Sequence, residues 1–274
     1  MSIAGKAMKI TTNTLQEMKQ AGEKITMLTA YDFSMARILD AAGIDVILVG
    51  DSASNVMAGN DTTVPITLDQ MIYHAQCVVN GVNRALIVCD MPFGSYQGDS
   101  RQALNSAIRI MKESGSHAVK LEGGAEVVES IERILTAGIP VMGHLGLLPQ
   151  TAKKYSVQGK TEDDAQILLE DSKALEDAGC FTIVYEMVAA ETMKKITESV
   201  NVPTIGIGCG KHCDGQVLVI HDMLGLYDKI NPKFVKRYLS LSDTIRKAVS
   251  EYVDDVENQV FPAYENSYHM EIQT

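Results

Sequence analysis

Ala118-Val119-Lys120-Leu121-Glu122-Gly123-Gly124 reads as a buried strand that stops at a turn, because an apolar run closes on an acid and two glycines. Side chains alternate along a strand, so Lys120 and Glu122 share one face. An ammonium and a carboxylate on the inner face of a buried strand are costly unless a partner or ligand compensates them. The same design occurs twice upstream. Val46-Ile47-Leu48-Val49-Gly50 ends in Asp51-Ser52, and Ala85-Leu86-Ile87-Val88-Cys89 ends in Asp90. Three successive strand-like runs thus each finish in a carboxylate.

On either side the pattern repeats. Toward the N-terminus, residues 1–11 read as a mobile or edge segment, and a short helix capped by Thr12 or Thr14 runs to Gln20. The first strand is Ile25–Ala30, followed by a helix to Ala42 that Gly43 closes. The second strand is Asp45–Gly50. A long polar loop, Ser52 to Thr67, comes next and reads as a binding loop. Thr67-Leu68-Asp69-Gln70 has the form of a capping box for a helix to Gly81. Further strands are expected at Ala85–Cys89, His117–Glu122, Ile139–Gly143, Phe181–Tyr185, Val202–Ile207 and Val217–Ile220. Helices are expected at Ser100–Glu113, Ala125–Ala137, from Thr161 to Gly179, and at Ala189–Ser199. The stretch from Pro232 to Val256 reads as helical, with a peripheral polar tail over 258–274.

Eight apolar strands, most followed by an amphipathic helix and a glycine stop, are the repeat of a single (β/α)8 barrel spanning 1–274. A doubly wound open sheet competes with it. The barrel is favoured because acids sit at strand C-termini all along the run, the face on which barrel sites are built. Bulk properties exclude other classes. Of 274 residues, 46% are hydrophobic and 22% charged, as in an ordinary globular protein. A net charge of −11 argues against nucleic acid or an anionic membrane as partner. No apolar run approaches the roughly 20 residues of a membrane span, and no signal-peptide core opens the chain, so a cytoplasmic location is expected. Five scattered cysteines suit reduced thiols.

Neighbouring strands lie about 4.8 Å apart, so Asp51, Asp90 and Glu122 are positioned to converge on one ion. A single strand-end acid commonly just caps the next turn; three in succession beside Lys120 point to a metal or ligand site. All-oxygen ligation favours a hard cation such as Mg2+. Glu186 ends the sixth strand across the barrel mouth, where it reads either as a base for a proton made acidic by the metal or as a solvated loop acid. Cys209-Gly210-Lys211-His212-Cys213 has zinc-like spacing but lacks a second ligand pair. His144 follows the fifth strand and reads as a supporting residue. The 14 methionines read as core filling.

Several stretches together resemble the ketopantoate hydroxymethyltransferase family. They are Thr29-Ala30-Tyr31-Asp32, Val49-Gly50-Asp51-Ser52, Asp90-Met91-Pro92-Phe93, Val119-Lys120-Leu121-Glu122-Gly123-Gly124 and Gly143-His144-Leu145-Gly146-Leu147. Pro149-Gln150, Val157-Gln158-Gly159, Gly206-Ile207-Gly208, Asp214-Gly215-Gln216 and His221-Asp222 continue the match. The resemblance implies a (β/α)8 barrel in a homo-oligomer, typically a decamer. It implies that Asp51, Asp90 and Glu122 surround Mg2+, directly or through water, that Ser52 and Lys120 hold a 2-oxo acid, and that Glu186 is the base. It also supplies 5,10-methylenetetrahydrofolate as the second substrate. The expected reaction passes a hydroxymethyl group to 3-methyl-2-oxobutanoate through a Mg2+-stabilised enolate, giving 2-dehydropantoate on the route to pantothenate. Ser54-Asn55, Cys209 and Ala189 depart from the family's usual residues. Two other readings are a Mg2+-dependent carbon–carbon lyase or phosphonomutase of the phosphoenolpyruvate/isocitrate lyase type, and a non-catalytic barrel scaffold. Lys153-Lys154-Tyr155 lacks the Cys and His of the lyase loop.

Overall fold

The computed structural model describes residues 9–227, 229 and 232–270. Residues 1–8 of the edge segment expected over 1–11, and the last four residues of the tail, lie outside them. In chain order the elements are α1 (Thr12–Ala21), β1 (Ile25–Thr29), α2 (Phe33–Ala41), β2 (Val46–Val49), α3 (Ala53–Val56), α4 (Leu68–Gly81) and β3 (Leu86–Asp90). Next come α5 (Ser100–Ser114), β4 (Ala118–Glu122), α6 (Val128–Thr136), β5 (Val141–Gly146), α7 (Glu162–Ala178), β6 (Thr182–Glu186) and α8 (Ala190–Ser199). The last are β7 (Thr204–Ile207), β8 (Gly215–Leu218), α9 (Ile220–Met223) and α10 (Leu241–Glu257). The strands close in sequence order into a barrel, β1 pairing with β8 and every pair parallel. This is the expected (β/α)8 barrel. The chain divides into two compact units, Met1–Ile220 and His221–Thr274.

The interior of the barrel is filled by one parity of each strand. Met27, Val46, Leu48, Leu86, Val88, Ala118, Met142, Val184, Ile205 and Val217 form a buried cluster. Each large apolar side chain in it contributes about 1.5–3 kcal/mol by leaving water. Ile10 and Leu15 belong to the same cluster, so α1 packs against the barrel's N-terminal end. Counting on by two along each strand takes this apolar layer to polar residues: Val88 to Asp90, Ala118 to Lys120 and Glu122, Met142 to His144, Val184 to Glu186. The period of the strand therefore builds a polar floor over the core at the C-terminal end of the barrel.

Local chemistry explains the helix starts. Thr67 and Gln70 form the expected capping box: Thr67 Oγ1 accepts from the Gln70 N–H and Gln70 Oε1 from the Thr67 N–H. At α1 the cap is Thr11 rather than Thr12 or Thr14, because its hydroxyl accepts from the Thr14 N–H. Most boundaries shift by one to three residues from those read in the sequence, and four departures shape the mouth and the C-terminal region. β5 continues through His144 to Gly146, because it pairs with Tyr185 and Glu186 of β6 along its whole length. The loop after β2 contains α3. β8 ends two residues early, since Ile220 starts a helical turn that carries His221 and Asp222 off the strand. The C-terminal helix begins at Leu241, well after Pro232. Ile245, Val249, Tyr252, Val253 and Val256 recur along α10 at helical spacing and are all exposed. No helix among the described residues is long and apolar enough to cross a membrane.

Candidate active site at the barrel mouth

β2, β3 and β4 deliver the three acids to one place. The Asp51 N–H donates to Asp90 Oδ2 at 3.0 Å. Lys120, in register with Asp90 on the next strand, places Nζ 3.1 Å from Asp90 Oδ1. Gln150, from the loop after β5, donates Nε2–H to Asp51 Oδ2 at 2.9 Å and its backbone N–H to Glu122 Oε2 at 3.0 Å. Asp51, Asp90, Lys120 and Glu122 are 6%, 3%, 5% and 5% exposed. Three carboxylates against one ammonium leave two negative charges in excess, out of water, where uncompensated charge is costly.

That excess appears in the proton affinities. Burial, then the charges of Asp90 and Glu122, push Asp51 up to about 7. Burial likewise pushes Glu122 up to about 7 against the pull of Lys120. For Lys120 burial works downward, but Asp90, Glu122 and Asp51 outweigh it and raise its proton affinity. The folded values of Asp51 and Glu122 lie above the 3.8 and 4.5 of free carboxyls. Stability from this source is thus intact below about pH 4 and is lost as pH rises to about 7. A chelator-treated chain is expected to lose thermal stability from about pH 4 to pH 7, by up to about 1.4 kcal/mol per pH unit for each proton released. Excess Mg2+ is expected to flatten the profile. Identical pH profiles with and without Mg2+ would argue against a cation at these acids.

His144 stands between this cluster and Glu186. Lys120 Nζ lies 3.2 Å from His144 Nδ1. An ammonium only donates, so Nδ1 is the accepting nitrogen and the ring proton sits on Nε2. Burial, and then the Lys120 charge, hold His144 below its usual proton affinity, which keeps the ring neutral. Nε2 makes no hydrogen bond, and Glu186 Oε2 lies 3.6 Å from it. Glu186 is less buried than the acids, with its side chain 18% exposed, so it faces the open mouth.

The backbone around Glu186 is held on both sides. The Leu147 N–H donates to Glu186 O at 2.8 Å, and Gly146 sits so close that a Cβ there would lie 2.3 Å from that oxygen. With φ +88°, Gly146 also occupies a conformation that a side chain would strain. Met187 adopts φ +49°, rare for a residue with a side chain. Two hydrogen bonds hold it there, from its N–H to Ile207 O and from the Gln158 N–H to its carbonyl. Cys209 is part of this clasp: its thiol donates to Tyr185 O at 3.0 Å and accepts from the Val188 N–H at 3.3 Å. On the other side, Ser52 Oγ lies 2.8 Å from the Tyr31 hydroxyl. Ser54 and Asn55 lace the loop behind it, Ser54 Oγ donating to Thr62 O and Asn55 Nδ2 to Asn60 O.

The structure thus brings Asp51, Asp90, Lys120 and Glu122 together, puts Ser52 at the rim and sets Glu186 across the mouth. Among the described residues no three His, Cys, Asp or Glu side chains are gathered closely enough to hold an ion by themselves. The expected three-acid set is therefore not a ready-made cage: the Lys120 ammonium and the Gln150 amide are interleaved among the carboxylates. The same finding removes the zinc reading of Cys209 and Cys213, which are buried free thiols. Gln150 and Tyr96 were not legible as site residues, since each is a polar loop residue outside any periodic pattern. Only the Pro149-Gln150 pair in the motif match pointed there.

The model of the ketopantoate hydroxymethyltransferase family matches residues 9–264. The 3-methyl-2-oxobutanoate hydroxymethyltransferase of Flavobacterium johnsoniae is 60% identical over 98% of this chain and all of its own length. That of Cytophaga hutchinsonii is 59% identical over 95% of this chain and 97% of its own. Among solved structures, phosphonopyruvate hydrolase in complex with oxalate and Mg2+ superposes with a TM-score of 0.63 at 10% identity, covering 93% of this chain and 92% of that one. 2,3-Dimethylmalate lyase, a member of the phosphoenolpyruvate mutase/isocitrate lyase superfamily, gives 0.59 at 15% identity over 96% of this chain and 92% of the other. At such identities these two likenesses speak for the barrel alone.

Proposed function

This chain is an enzyme of the ketopantoate hydroxymethyltransferase family, and from that premise we propose that it moves a hydroxymethyl group from 5,10-methylenetetrahydrofolate to C3 of 3-methyl-2-oxobutanoate. The product is 2-dehydropantoate, on the route to pantothenate. The observation that carries the reading is the buried cluster of three acids and one lysine, two negative charges in excess, facing Glu186 through a neutral His144.

The cluster fits a hard divalent ion. Its donors are all oxygens, its excess charge equals that of Mg2+, and the buried Asp90 Oδ1 has the Lys120 ammonium at 3.1 Å but no hydrogen bond among the described residues besides that ion pair. Asp51, Asp90 and Glu122 are the residues that would hold such an ion, whose preference for water and substrate oxygens does not call for an all-protein cage. When bound, the ion supplies positive charge beside the 2-oxo group and so lowers the barrier to removing the C3 proton. The residues do the rest. Ser52 and Lys120 orient the oxo acid. Glu186 takes the C3 proton onto its carboxylate. Water hydrolyses both C–N bonds of the folate's methylene bridge, giving tetrahydrofolate and formaldehyde. The electron pair left on C3 forms the new bond to the formaldehyde carbon as its C=O π bond opens and the oxygen takes up a proton to become the hydroxyl. His144 places Nε2–H 3.6 Å from the Glu186 carboxylate, close enough to donate to it after a small shift of either side chain. The strained Met187 and the Cys209 clasp fix the direction in which Glu186 points.

We place the enzyme in the cytoplasm, acting as a homo-oligomer, a decamer by family resemblance. The exposed apolar stripe on α10 supports self-association. The test of the reaction is direct. In D2O with Mg2+ and no folate, the chain is expected to exchange the C3 hydrogen of 3-methyl-2-oxobutanoate. Addition of 5,10-methylenetetrahydrofolate is then expected to yield 2-dehydropantoate. Failure of both reactions would overturn the assignment.

A further inference from the structure

Gln150 uses every hydrogen-bonding position of its side-chain amide. Nε2 donates to Asp51 Oδ2 at 2.9 Å and to Met91 O at 3.0 Å. Oε1 accepts from the Tyr96 hydroxyl at 2.8 Å and from Gln97 Nε2 at 2.9 Å. The Gln150 backbone N–H adds the bond to Glu122 Oε2 at 3.0 Å. One residue, itself 5% exposed, thus holds one oxygen from each of two acids on different strands. The orientation of the amide is fixed as well. The Met91 carbonyl and the ionised Asp51 carboxylate only accept, so Nε2 is the atom that faces them and Oε1 the one left toward the Tyr96 hydroxyl, which also reaches Glu122 O at 3.2 Å. Tyr96 is buried too, at 2% exposure.

We propose that Gln150 is the positioning residue of the acid cluster, setting the separation and direction of the Asp51 and Glu122 carboxylates so that they can share a divalent cation. Two like charges this deeply buried repel, and without the amide between them each turns toward its own nearest donor. Gln150 gives both a donor from one rigid point, and Tyr96 locks that point through β4. The inference rests on the reading of the acids as a cation site.

The test compares the full-length chain with Gln150→Leu and Tyr96→Phe, using Mn2+ as the probe. Mn2+ affinity is measured by calorimetric titration, and thermal midpoints are taken in chelator. Residues that orient metal ligands are worth roughly 10–100-fold in affinity. Gln150→Leu is expected to lose affinity in that range, keep a cooperative unfolding transition in chelator, and recover turnover as Mn2+ is raised. Tyr96→Phe is expected to show a smaller loss of the same kind. A residue serving stability alone would lower the midpoint without moving the Mn2+ affinity of the folded chain, and that result overturns the proposal. Should Gln150→Leu fail to fold, Tyr96→Phe decides: unchanged Mn2+ affinity overturns the proposal and weakened affinity with a retained midpoint supports it. Absence of Mn2+ binding to the unaltered chain would instead overturn the cation site, and the role of Gln150 with it.

Discussion

Glu186→Gln is expected to slow exchange of the C3 hydrogen of 3-methyl-2-oxobutanoate by about 10²–10⁴-fold, the usual worth of a positioned general base. The substitution keeps the shape of the side chain and removes its basicity. Among the described residues Glu186 forms no ion pair with Asp51, Asp90, Lys120 or Glu122 and meets the cluster through His144, at 3.6 Å. Divalent-ion binding and oxo-acid binding are therefore expected to survive, so that the loss falls on the rate at saturation. Proton NMR in D2O with Mg2+ reads the exchange without needing folate. Exchange at the unaltered rate removes Glu186 from the base role while leaving the acid cluster standing. Loss of ion binding along with exchange would show that Glu186 belongs to the ion site instead.

Lys120→Met is expected to be the most damaging change to the metal-free fold. It removes the only cation among three buried carboxylates and leaves Asp90 Oδ1 without its partner at 3.1 Å. Breaking a buried pair by deleting one member costs about 3–5 kcal/mol, a large part of the 5–15 kcal/mol that holds a typical domain. The sign of the pH dependence follows from the acids that remain. Near pH 5 Asp51 and Glu122, both raised to about 7, are protonated, so less charge is stranded. Losing the ammonium, whose charge lowers both groups, raises them further, and each proton given up as pH climbs toward 8 strands another charge. The loss measured by urea unfolding should accordingly be greater at the higher pH. Mg2+ should restore stability there by binding the folded form. A loss that is equal at both pH values would mean that Lys120 contributes packing rather than charge balance.

Much of this site is legible in the sequence, and the reason is periodicity. Asp90, Lys120, Glu122 and Glu186 lie on the same parity as the apolar residues beneath them, so a correct strand assignment places all four at the mouth of the barrel. Asp51 follows because its strand ends one residue earlier. His144 was underrated for a local reason. Pro140 and Gly143 made the fifth strand look short, whereas pairing with β6 carries it through His144 to Gly146. Gln150 and Tyr96 carry no periodic signal, since their importance comes from hydrogen bonds to strands far away in sequence. The backbone conformation of Met187 is set by Ile207 and Gln158, which no local pattern reveals. Charge alone suggested three acids gripping one ion. Lys120 was expected beside the acids, and the structure sets its ammonium against Asp90 and adds the Gln150 amide between Asp51 and Glu122.

The most direct test of the account is a calorimetric titration of Mg2+ into the full-length chain with and without 3-methyl-2-oxobutanoate. One ion per chain, bound more tightly when the oxo acid is present and lost in Asp90→Asn, is the predicted result. An oxo acid that binds equally well in chelator, or ion binding indifferent to Asp90→Asn, would contradict it.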